Sequence, residues 1–412
     1  MAFPHWTGLL FLSVAFLGRM LAAETAADPG LQFLEDRVKS DPDDFIAQNQ
    51  IAERALAKLL RTGRLEWLDR ASAAAAASLR AGGAPLNSAG FLLSARVANA
   101  HHRFTDARRF AEQFRELRPA QLVGAQTLFD TTLESGDYAA AAALVAEMQA
   151  TEPDSLSTAS RQARLAWVQG KTDTAAKAWD AAITWARTDS RSTPELLAWA
   201  VTQRGELAFR LGQLDAAQAA YDEAAQLLPD DWGGKEHRAE LHAARGESEP
   251  ALDLLRAVIA TTGRPELEQA AGDVAKAAGK LDVAKEFHDR AEAAYRASID
   301  RGETLYIHHL AGFLCDVRPD PAEAVRLARR DLEQRQSIQA YDALAWALSL
   351  AGQHAEAETA AAKALATGTR DAHILYHAGL ISMSAGQLAR GRELIRAASE
   401  ANPRHQSFHF HR

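Results

Sequence analysis

At 412 residues the chain is longer than one compact core usually serves, so it must be either several globular units or one elongated array. Alanine-dominated stretches such as 73–77 and 139–143, with no period-2 runs of Val, Ile, Thr and Tyr, exclude a strand-based fold and predict an all-α chain. Lys and Arg number 46 against 54 Asp and Glu, a net charge of −8 with neither sign gathered into a block, which argues against a nucleic-acid or anionic-membrane surface.

In chain order, residues 1–23 combine an apolar run from Leu9 to Leu17 with small residues at Ala22 and Ala23, the pattern of a secretory signal peptide cleaved after Ala23. The run is shorter than the roughly 20 apolar residues that span a bilayer, so export to the periplasm or the extracellular space is expected rather than a retained anchor. Residues 24–48 form an N-terminal capping segment, with a short amphipathic helix over Leu31–Ser40 before Asp41-Pro42. A single cysteine, Cys315, rules out an intrachain disulfide, so packing alone must hold the fold.

Beyond the cap the sequence repeats. Gly136 to Gly170, Gly212 to Gly246 and Gly352 to Gly386 are each 34 apart, Gly246 to Gly279 is 33, and His102 and Arg318 stand one period before Gly136 and Gly352. In the unit 198–231, Gly205 precedes the turn glycine Gly212, and Ala217, Tyr221, Ala224 and Pro229 follow it. The last unit has Gly379, Gly386, Gly391, Ile395, Ala398 and Pro403 at the same offsets. Small residues on both sides of a turn let two antiparallel helices approach, the larger residue fills the gap between them, and proline stops the second helix. One such hairpin cannot bury its own apolar face, so neighbours must stack.

Period and chemistry together make the chain resemble the tetratricopeptide repeat family. The resemblance implies an all-α, right-handed superhelical solenoid of antiparallel helix pairs whose first helices line a concave groove. Ten units are expected, starting near Asn49, Ser88, Leu122, Leu156, Ala198, Trp232, Glu266, Thr304, Ile338 and Ala372. They fall into repeats over 49–187, an irregular joint at 188–197 that serves as a flexible middle, and repeats over 198–405, before a His-rich tail at 406–412. Phe129 departs from the small residue expected in the third unit. Gly82-Gly83-Ala84-Pro85 absorbs a 39-residue interval as a loop, Pro319-Asp320-Pro321 distorts the eighth turn, and the helix after Gly279 continues to about Ile299.

Catalytic signatures are missing: there is no phosphate loop, no Cys-x-x-Cys, no His-Glu-x-x-His and no Gly-x-Ser-x-Gly. No enzyme activity and no cofactor are expected. Mixed aromatic and polar residues on first helices are instead what a groove for a protein segment uses, because rings give contact area at low entropy cost and polar groups fix register. On that face lie Trp199, Thr202, Glu206 and Phe209, then His308 and Cys315, then Gln339, Asp342, Trp346 and Ser349, then His373, Tyr376 and Met383. His101-His102 reads as an exposed polar turn. The function expected is an exported scaffold binding a partner protein or peptide; the alternative is a soft-metal carrier or sensor built on His308, Cys315 and the tail residues His405, His409 and His411.

Overall fold

A computed structural model of the chain describes residues 28–83 and 85–405. The expected signal segment 1–23, Ala84 of the expected loop and the tail 406–412 lie outside the described residues.

A capping helix, α1 (Pro29–Ser40), precedes ten helical hairpins. The first five are α2 (Phe45–Thr62) with α3 (Glu66–Ala81), α4 (Ser88–Ala100) with α5 (Phe104–Leu117), α6 (Leu122–Ser135) with α7 (Tyr138–Thr151), α8 (Leu156–Val168) with α9 (Thr172–Thr188), and α10 (Pro194–Arg210) with α11 (Leu214–Leu227). The second five are α12 (Trp232–Ala244) with α13 (Ser248–Thr262), α14 (Pro265–Ala277) with α15 (Leu281–Asp300), α16 (Ile307–Asp316) with α17 (Pro321–Leu332), α18 (Ile338–Leu350) with α19 (His354–Ala364), and α20 (Ala372–Ser384) with α21 (Leu388–Ala401). Among the described residues there is no strand and no helix long and apolar enough to cross a membrane. Six of the first helices begin at the residue the repeat predicts, so the 34-residue template reports real hairpin boundaries.

The close approach within a hairpin is visible at Gly205, where an added Cβ would stand 2.6 Å from the Tyr221 ring, and at Gly379 and Gly391, each of which would drive a Cβ into the other's carbonyl. The third hairpin reverses the sizes. Phe129 occupies the Gly205 position and is fully buried, and Val145 stands where Tyr221 would, so the same gap is filled from the opposite helix.

Capping is divided between the two helices of a hairpin. Seven of the ten first helices start on side-chain caps: for example, Asp44 accepts from Ala47 N at 2.9 Å, Asn87 from Gly90 N at 3.0 Å, Asp231 from Gly234 N at 2.7 Å and Asp371 from Ile374 N at 3.3 Å. Most second helices begin without such a cap, directly after the tight turn.

The irregular joints are built from longer helices. Around the expected joint at 188–197, α9 runs through Thr188 and α10 begins at Pro194, leaving only 189–193 as loop. Trp179 and Trp199 meet edge-on across it, with ring centroids 5.3 Å apart, so α9 and α10 pack against each other at the joint. At the eighth turn Arg318 does not adopt the left-handed backbone of the glycines it replaces. Its N–H bonds Phe313 O at 3.1 Å, and its guanidinium donates to Asp289 and Glu292 of α15.

First helices touch the first helices of the next hairpin, α2 with α4, α4 with α6, α16 with α18 and α18 with α20, and second helices make no comparable contact. The first helices therefore lie on the inner, shorter side of the curve. That curve closes on itself along its axis. Trp232 Nε1 donates to Leu60 O at 2.9 Å, Arg264 Nε to Gly63 O at 2.9 Å, Thr304 Oγ1 to His101 O at 2.6 Å, Gln336 N to Ser135 O at 2.8 Å, and Thr367 Oγ1 to Val168 O at 2.7 Å. Four of these bonds tie the turn of one hairpin to a loop about five and a half hairpins further on, and the Trp232 bond spans about four and a half. The solenoid is a coil whose second superhelical turn rests directly on the first.

Candidate functional site

The inner wall is where the first helices collect their polar side chains. Arg161, fully buried, bonds Asp130 at 2.7 Å and the Ser157 hydroxyl at 2.6 Å; Arg164 reaches Asp130 at 2.6 Å and Glu134 at 3.1 Å. Arg96 is buried beside this group. Burial pulls its guanidinium down to about 10, opposed by Glu53 and Asp130. Burial also raises the Glu134 carboxyl, offset by Arg164 and Arg335.

Further along, Glu206 pairs with Arg210 at 2.8 Å, and Arg210 reaches Asp371 of the other superhelical turn at 3.4 Å. Glu236 and Glu240 on α12 are buried, and burial, with Glu266 and Glu240 adding repulsion, holds the Glu236 carboxyl well above the usual range. Isolated charges are not tolerated in such surroundings, so these groups stand in networks that fix one another.

A simple pattern underlies the wall. Arg96, Asp130, Arg164, Glu206 and Glu240 occupy the same position in five consecutive hairpins, 34 residues apart except across the 42-residue joint. Stacked first helices, α4 on α6, α6 on α8 and α10 on α12, turn this periodicity into rows of charge along the wall. A reading that followed aromatic residues found only Glu206 of the five; tabulating charge against the 34-residue period would have found the rest.

Of the other sequence-predicted positions, Thr202, Glu206, Phe209, His308, Cys315 and Asp342 are buried, whereas Trp199, Gln339, Trp346, Ser349, His373, Tyr376 and Met383 are half-buried. Phe209 packs with Tyr221 and Leu241, and Cys315 belongs to the core around Phe313 and Leu348, so both serve packing. Burial pushes the Cys315 thiol up, which disfavours the thiolate a soft metal needs. His308 meets His102 of the neighbouring superhelical turn, ring centroids 5.2 Å apart. His308 and Cys315 belong to no cluster of three metal-donor side chains among the described residues.

His101 and His102 are no exposed turn: they lie beneath the loop that carries Thr304. His102 keeps the left-handed backbone of a turn glycine (φ 57°) and stacks on Phe104, while His101 bonds the Ser72 hydroxyl at 2.6 Å. Burial, with Arg103 near His101 and Arg335 near His102, depresses the two imidazoles to about 4 and about 3.

The structure does bring Asp342, Trp346 and His373 together, around a residue the sequence reading did not single out. His377 Nδ1 lies 3.0 Å from Asp342 Oδ2, and the ring of Trp346 stacks on the His377 imidazole at 4.3 Å, 4° from parallel. Tyr376 sits against His405, with ring centroids 5.2 Å apart.

No family model matches the chain, and no curated protein matches it. Among solved structures it is similar to one described as the crystal structure of the APC/C hetero-tetramer Cut9-Hcn1, with 15% identity and a TM-score of 0.44, covering 91% of this chain and 70% of that one. The fold is established by the chain's own hairpins: an all-α, tetratricopeptide-like solenoid of packed helix pairs.

Proposed function

We propose that the chain is an exported, non-catalytic scaffold that holds a segment of a partner protein against its inner wall. The observation that carries this reading is the set of half-buried side chains that α18 and α20 add to the inner wall, Gln339, Trp346, Ser349, His373, Tyr376 and Met383. Half-buried rings provide contact area at little ordering cost, and the polar groups between them fix the register of a bound segment. Export rests on the signal-like pattern in residues 1–23.

The test is photo-crosslinking in the native host, with a crosslinker placed at Ser349, in chains that are otherwise wild type or carry Trp346→Ala and Tyr376→Ala. A partner band from the extracytoplasmic fraction that fades in the double variant supports the reading. Equal labelling in both chains removes the groove assignment, and a chain found only in the cytoplasm removes export.

A further inference from the structure

We infer that Asp342, His373 and His377 form an open, three-ligand site for a divalent transition-metal ion of the zinc type. This is a different activity from partner binding, although it shares His373 with the proposed groove, and it uses different residues from the His308 and Cys315 alternative. Asp342 projects from α18, and His373 and His377 are one helical turn apart on α20, so both imidazoles share the face that meets Asp342.

The donor atoms of the three side chains all lie within 4.8 Å of one another; His377 Nδ1 is 3.0 Å and His373 Nε2 is 3.8 Å from Asp342 Oδ2. An ion about 2.1 Å from each donor sets tetrahedral ligands about 3.4 Å apart, so small rotations bring all three onto one centre. Two imidazoles and one carboxylate form a borderline donor set suited to zinc, cobalt or nickel and poor for calcium or magnesium.

The surroundings favour a cation. Asp342 and His377 are buried, and Asp316 and Asp371 add negative charge near Asp342. Arg210, paired with Asp371, is a nearby counter-charge. Trp346 stacks on His377 while its indole N–H bonds Asp316 at 3.1 Å, which holds the ligand ring in place. His373 is half-buried, so the third ligand stands on the side from which an ion and a fourth, exchangeable ligand would arrive.

The experiment uses the full chain freed of metal by a chelator. Zinc chloride is titrated by calorimetry, bound metal is measured after dialysis, and cobalt chloride is added to read the visible d–d bands of a tetrahedral centre. Four chains are compared: wild type, Asp342→Asn, His373→Ala, and His409→Ala/His411→Ala, each checked for helix content. The expected result is one zinc per wild-type chain and tetrahedral cobalt bands. Affinity should fall at least tenfold in Asp342→Asn and His373→Ala and stay unchanged in the tail variant. Absence of binding, octahedral cobalt only, or binding lost solely in the tail variant overturns the assignment. Because the readout is the metal itself, its failure leaves the partner-binding test untouched.

Discussion

Substituting the turn glycines tests how the coil is held closed. Gly136, Gly170, Gly246 and Gly352 all have left-handed backbones, with φ of +86°, +68°, +78° and +73°. Alanine at any of them pays the left-handed penalty of about 1–2 kcal/mol. Their surroundings differ. A Cβ on Gly170 would lie 2.1 Å from Gly368 O and one on Gly136 would lie 2.3 Å from Gln336 O, whereas Gly246 and Gly352 have nothing within 4 Å. Relieving the Gly170 contact to 3.0 Å moves one superhelical turn off the other by 0.9 Å, enough to break the 2.7 Å bond from Thr367 to Val168 O. Each lost bond with a buried orphan costs about 1–3 kcal/mol. Gly170→Ala should therefore destabilise by about 2–5 kcal/mol and Gly352→Ala by only the backbone share of about 1–2 kcal/mol. Repeat arrays need not unfold in one step, so urea midpoints should be read beside amide hydrogen exchange over 366–370. Gly170→Ala should lose protection there and Gly352→Ala should not. Equal destabilisation by the two variants, with unchanged exchange, would refute the axial contact.

Acid should loosen the same contact. In the unfolded chain His101 and His102 take up protons below pH about 6.5, but in the folded chain only near 4 and 3, so stability is complete above 6.5 and falls as pH drops toward 4. The slope should approach about 1.4 kcal/mol per pH unit per fully buried histidine, less for a partly exposed one, and the pH slope read from thermal scans of wild type and His101→Gln should differ in that window. Asp130→Ala leaves Arg161 and Arg164 without their shared carboxylate and should cost about 3–5 kcal/mol, seen in denaturant unfolding; a loss under about 1 kcal/mol would mean the network is not coupled. In the third hairpin, Phe129→Gly alone should cost about 3–5 kcal/mol and Val145→Tyr alone should overpack. The double variant recreates the Gly205 and Tyr221 arrangement and should recover about half of the summed loss in a double-mutant cycle.

The hairpins were legible because their defining contacts are local: Gly205 and Tyr221 are close in sequence, and a fixed period exposes them wherever they recur. The axial contact was not, because it joins residues such as Gly63 and Arg264 that are 201 apart, across an interval that no repeat template contains. Gly170 and Gly352 look identical in sequence, yet one lies under the next superhelical turn and the other has open space above it. His102 shows the same limit: its place in the period identifies the turn, and nothing local indicates that the turn is covered. At the candidate site, Asp342 and His373 were legible as residues of one face. Their meeting with His377 follows from adjacent first helices packing against each other, which the period implies but charge and aromaticity alone do not.

Closure of the coil is tested most directly by distance. Spin labels at cysteines replacing exposed Arg64 and Thr261, in a Cys315→Ala background, flank the contact between Gly63 and Thr262. Stacked superhelical turns predict a narrow distribution at the short end of the electron-resonance range, broadened by Gly63→Val. A long, broad distribution in the parent chain would contradict the coil described above.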